Sequence, residues 1–175
     1  MELPGAEYLF NLSILAVTFA TVSALVTVVR QISGGSLTKV DIHLLTTFLS
    51  AGFAISMAAI LPSLVNLFGL TLQVVWPVVS GMAAVLFAVL IARIQRERRM
   101  FAAMGLAPVS IVAFGGLWIS VVILVINAAP TPIQGIAPYA AAITLSLATV
   151  MWSFVHRIAS LSRGDGRGDW DLSRG

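Results

Sequence analysis

The chain has 175 residues, 59% of them hydrophobic and 10% charged, with a net charge of +3, no cysteine and a mean hydropathy of +1.01. A soluble domain carries about 25% charged residues to wet its surface, so this composition excludes a soluble enzyme, a nucleic-acid-binding domain and a disordered chain. The absence of cysteine excludes a disulfide scaffold, a thiolate metal site and a cysteine nucleophile.

What remains is an integral membrane protein, and its spans can be taken in order. A helical crossing needs about 20 apolar residues. Tyr8 to Val29 carries no formal charge and forms the first span, 8–29. It is read as a retained anchor, because a cleavable signal would open on positive residues where Glu2 and Glu7 stand, and would hold only about 7–15 apolar residues. The Gly34-Gly35-Ser36 turn lacks the GxxxxGK[ST] pattern of a phosphate loop. Thr38-Lys39-Val40-Asp41 has capping-box spacing with Asp in the acidic place, and Leu37 can staple to Ile42. The second helix is therefore expected to begin at Lys39.

Leu44 to Ala92 is a second uncharged run, about twice the length of one span, so it must reverse. Proline removes a backbone donor and clashes with the preceding turn. The stretch from Pro62 to Gly69 is thus the expected break, giving spans 42–62 and 74–93, with Pro62 either ending or kinking the second helix. The third run, Met100 to Val155, reverses at Asn127 to Gly135 and gives spans 106–127 and 137–157. Pro77, Pro108 and Pro138 fall near first turns, where a missing N–H is harmless. A barrel would show alternating segments of about 10 residues instead, so the expectation is an all-α bundle of five transmembrane helices. Residues 1–159 form it, and 160–175 are a polar, disordered tail.

Charge sets the orientation. With five spans, Arg30, Lys39, Arg93, Arg96, Arg98, Arg99, Arg157, Arg163, Arg167 and Arg174 all lie on one side, and the other holds only Glu2 and Glu7. Positive residues in short loops stay cytoplasmic, so the N-terminus is outside and the C-terminus inside. The pI of 10.2 then reflects topology rather than a polyanionic partner. Tyr8, Trp76 and Tyr139 fall at outer ends, where amphipathic rings favour the headgroup level, while Trp118 falls near mid-span. Arg163-Gly164-Asp165 and Arg167-Gly168-Asp169 resemble an adhesion tripeptide, but a cytoplasmic tail meets no extracellular receptor. The Arg-, Ala- and Gly-rich composition points to a bacterial inner membrane.

Chemistry-bearing residues are few. No ionisable group stands at mid-depth, where one would mark a functional site. The polar groups within the first two spans are Asn11, Ser13, Thr18, Thr21, Ser23, Thr27, Thr46, Thr47, Ser50 and Ser56. They are read as interhelical or back-bonding hydroxyls and amides, with a polar lane for a neutral solute as the alternative. Small residues recur at four-residue spacing (Ala16, Ala20, Ala24; Gly52, Ser56; Ser80, Ala84, Ala88; Gly116, Ser120; Ala142, Ser146), which lets backbones approach closely. Asp41, His43 and His156 lie at the cytoplasmic boundary and would offer a carboxylate and two imidazoles to a metal or a proton if the second and fifth helices adjoin. Arg93, Arg96, Arg98 and Arg99 form the densest basic cluster, suited to anionic headgroups.

The composition therefore suggests a multi-pass membrane protein without catalytic machinery, a subunit or accessory of a membrane assembly. Two alternatives stand beside it: a small oligomeric transporter or channel for a neutral solute, and an interfacial enzyme or metal-binding protein using the Asp41, His43 and His156 group. No cofactor is implied. The partners expected are anionic lipids, a second copy or another membrane protein, and no nucleic acid.

Overall fold

The computed structural model describes residues 5–32, 39–100, 108–130 and 134–162. Among them are five α-helices and no strand: α1 (Ala6–Ile32), α2 (Lys39–Asn66), α3 (Leu72–Met100), α4 (Pro108–Ala128) and α5 (Ile136–Ser162). Four carry segments long and apolar enough to cross a membrane, at Ala6–Val29, Leu45–Asn66, Leu72–Arg96 and Ile136–His156. α4 has 21 residues, about 31 Å at 1.5 Å per residue, and its described apolar stretch is Phe114–Ala128. The tail expected to be disordered lies, from residue 163 onward, outside the described residues.

The helices match the expected spans closely, with one correction. α2 does not stop at Pro62 but runs through it to Asn66. Proline's missing N–H deprives the carbonyl four residues earlier, that of Ala58, of its helical donor. The Tyr139 hydroxyl of α5 donates to that carbonyl at 2.5 Å. A side chain from another helix thus makes the interior proline tolerable. The reversal comes later, where Leu67, Phe68 and Gly69 donate to the carbonyls of Leu64, Val65 and Asn66 at 3.0–3.2 Å. Gly69 then turns the chain at φ +71, a conformation that costs glycine little. Pro77 also lies inside its helix, in the second turn of α3, whereas Pro108 and Pro138 stand in first turns.

Direct contacts give the order of the bundle. Gly52 of α2 lies against Ala16 and Ala20 of α1, and Gly116 of α4 lies against Thr149 of α5. A Cβ on Gly52 would come within 2.8 Å of the Ala20 methyl, and one on Gly116 within 2.3 Å of the Thr149 hydroxyl. These two glycines therefore let their helices approach at close range. α5 touches all four other helices, while α1 packs only on α2 and α5, and α4 only on α3 and α5. Phe19, Phe48 and Phe154 join α1, α2 and α5 in an edge-to-face trio, with centroids 5.2–6.3 Å apart.

Pairs such as Tyr8 with Thr144, Trp76 with Tyr139, and Tyr139 with Ala58 set the relative directions. The first residues of α1, α3 and α5 meet at one end of the bundle with the last residues of α2. The basic residues carried by helices occupy terminal positions at the opposite end: Arg30, Lys39, Arg93, Arg96, Arg98, Arg99 and Arg157. Trp76 and Tyr139 stand near the starts of α3 and α5, and both rings are buried there and packed on each other at 5.9 Å. Trp118 and Trp152 are the outward-facing indoles among the described residues.

Candidate functional site

In a chain this apolar, a site would have to be assembled from its polar side chains, so the first question is where each one goes. Most hydroxyls bond back to their own helix. Thr18, Thr21, Ser23, Thr27, Thr46, Thr47, Ser120, Thr144, Ser146, Thr149 and Ser153 each donate to the carbonyl four residues earlier, at 2.7–3.1 Å. Such bonds satisfy these donors within their own helices. Ser13 and Ser56 pair with each other across α1 and α2 at 2.8 Å, buried.

One polar cluster is built across elements. Asn127, 1% exposed at the last turn of α4, donates through Nδ2 to Ser80 Oγ of α3 at 2.8 Å and to the Gly135 carbonyl at 3.1 Å. Its Oδ1 accepts from the Gly135 N–H at 2.9 Å, and Gln134 Nε2 reaches its backbone carbonyl at 3.5 Å. Three of the four hydrogen-bonding sites on the carboxamide are used. The cluster is a clamp that fixes the α4–α5 turn onto α3. On sequence grounds Asn127 belongs to a helix-breaking run. The signal that could have marked its role is an amide at the end of a long apolar run, where leaving it unpaired would be costly.

A small cavity is present among the described residues. It lies between α2 and α3, measures about 10 Å³ and is lined by Thr46, Thr47, Ser50, Leu90, Arg93 and Ile94. That is room for about one water. α1 and α2 are in direct contact at Gly52, and α4 and α5 at Gly116, where Thr149 fills the space beside the glycine.

The other candidates fall as follows. His43 is half-buried near the start of α2, and His156 is exposed near the end of α5. Phe154, two residues before His156, packs on Phe48 of α2. Residues two apart point to nearly opposite sides of a helix, so this packing turns His156 away from α2. The Asp41 side chain lies outside the described residues, and among the described residues no group of three His, Cys, Asp or Glu side chains could share a metal. Arg93 and Arg96 are exposed on the last turns of α3, while the side chains of Arg98 and Arg99 lie outside the described residues. No protein-family model matches the chain, and no curated protein or solved structure matches it either.

Proposed function

We propose that this chain is a five-span membrane protein, N-terminus outside and C-terminus in the cytoplasm, acting as a non-enzymatic subunit or accessory of a membrane assembly. The observation that carries the reading is the closed interior. The cavity between α2 and α3 holds about one water, and most hydroxyls among the described residues donate to their own helices. A solute path or a catalytic pocket needs concave space with converging polar groups. Around this interior, the exposed side chains among the described residues are mostly apolar, including Phe10, Phe53, Val85, Trp118 and Trp152, of a kind that water would not tolerate.

Orientation follows from charge. The helix-borne basic residues cluster at the end opposite Glu7, and the positive-inside rule assigns that end to the cytoplasm. Arg93 and Arg96, with Arg98 and Arg99 beyond them, then meet anionic headgroups, each worth about 1 kcal/mol near the surface. Paired reporters test the reading. One active only in the cytosol and one active only outside are fused after Gly175 and inserted at Gly69. Cytosolic activity at Gly175 with exterior activity at Gly69 is expected, and the reverse pattern, or cytosolic activity at both sites, overturns the topology.

A further inference from the structure

The polar residues of α1 divide between two faces. Ser13 and Ser23 are buried with Leu9, Leu12, Ala16, Phe19 and Ala20 on the packed face. Glu7, Asn11, Thr18 and Thr21 are exposed, as are Ile14, Leu25 and Val28 between and beyond them. Positions 7, 11, 14, 18, 21, 25 and 28 are spaced alternately by four and three residues, the register of a helix–helix seam. This seam lies on the side of α1 away from α2 and α5.

Nothing like it occurs on the other helices. Their exposed positions between the helix ends are apolar among the described residues, represented by Phe53, Met57, Met82, Val85, Val122 and Trp152. The exposed exceptions, Gln73, Arg93, Arg96 and His156, stand in the end turns of their helices. α1 is also the least enclosed of the four long apolar helices, with 33% of its window buried against 56% for α2. Thr18 and Thr21 donate to their own helix. The Asn11 carboxamide has no hydrogen-bond partner among the described residues. It stands five residues into α1, about 7.5 Å along the axis.

We propose that this face of α1 pairs with α1 of a second copy, forming a two-fold dimer whose register is set by Asn11. The occupant follows from chemistry. A carboxamide carries donors and an acceptor, so two of them at the same depth satisfy each other. Copies inserted in one orientation present Asn11 at equal depth, which is what a two-fold axis requires. A single Asn in such a seam specifies register and pairing. In lipid it also supplies attraction, because no hydrophobic force drives helices together there. Glu7 lies at the seam's mouth, in the first turn, where water and ions screen its charge. The proposal rests on α1 being a span.

The chain has no cysteine, so single introduced thiols can map the contact in native membranes. Ile14→Cys and Leu25→Cys sit on the seam. Val26→Cys matches Leu25 in depth but points about a quarter-turn away, and Met82→Cys on α3 reports random collision. On oxidation, the two seam thiols are expected to give a disulfide-linked dimer several-fold more abundant than the two controls. Asn11→Leu in the Ile14→Cys background should weaken pairing on the order of threefold to thirtyfold, and Asn11→Gln should preserve it. Equal cross-linking at all four positions, cross-linking at none, a product containing a different protein, or indifference to Asn11→Leu each overturns the dimer. A carbonate wash separates the two failures: release from the membrane refutes the span, and retention without seam cross-links refutes only the pairing.

Discussion

α1 and α5 are alike on paper and unlike in place. Each has 27 residues, each carries a segment able to cross a membrane, and they run in the same direction. Yet α5 touches every other helix, whereas α1 touches only two. The hub turns its polar atoms inward or onto itself: Tyr139 to Ala58, Ser146 and Thr149 to their own carbonyls. The peripheral helix leaves Asn11, Thr18 and Thr21 on its outer surface. Hydropathy cannot separate these cases, since it sums along the helix and ignores direction. What distinguishes a hub from an edge is which face carries the polar atoms.

If that contrast is correct, damage to the hub should cost more than comparable damage at the edge. Gly116→Leu is the most severe test. The stiff, β-branched Thr149 is buried and already 2.3–3.0 Å from where the new Cβ would sit. Overpacking there is expected to lower stability by about 3 kcal/mol, read by reversible unfolding in mixed micelles. Gly115→Ala, whose Cβ would meet open space, is the matched control and should be nearly neutral. Gly52→Leu meets the Ala20 methyl and the Ala16 carbonyl, but because α1 is the least enclosed of the four long apolar helices its effect should appear as local detachment. Faster hydrogen exchange in α1, with α5 unchanged, would show this. Global loss in both variants would erase the distinction between hub and edge.

Asn127→Leu probes how the hub is anchored. Removing the carboxamide leaves the Gly135 N–H and the Ser80 hydroxyl without the partners they have now. The expected cost is about 2 kcal/mol, with increased protease access to the α4–α5 turn. Unchanged stability would show that water replaces the clamp.

Tyr139→Phe is smaller and better defined. It removes the donor to Ala58 and should cost about 1 kcal/mol. In a Pro62→Ala background the restored backbone N–H can serve the Ala58 carbonyl, so the same change should cost much less. A double-mutant cycle reads that coupling directly, and additive costs would refute the compensation.

This bond also shows where reading the chain succeeds and fails. The number of helices and most of their limits are legible, because uncharged length and turn residues are local properties. Gly52 and Gly116 lie in the close approaches that small-residue spacing implied. Whether Pro62 ends or merely interrupts α2 is not legible locally, because the group that serves its orphaned carbonyl comes from α5, 81 residues away. That Trp76 and Tyr139 pack on each other is likewise hidden in the chain, since the end of a span at which a ring falls does not say which neighbour it meets. The two faces of α1 are equally hidden in the chain alone, since periodicity shows that faces exist without saying which one a neighbour covers.

The edge itself supplies the finest test. Ser13 and Ser56 share one hydrogen bond at 2.8 Å, buried between α1 and α2. Polar pairs of this kind in membranes contribute only about 0.6 kcal/mol, because the alternative state finds other partners. Serine can also turn its hydroxyl to the carbonyl four residues back, as Ser23 does in the same helix. Ser13→Ala, Ser56→Ala and the double variant should therefore each lose about 0.6 kcal/mol, with the second substitution adding almost nothing to the first. A loss several times larger, or additive losses, would mean that α1 is held as firmly as the hub, and the outward polar face would then belong to a helix with no reserve for a second copy.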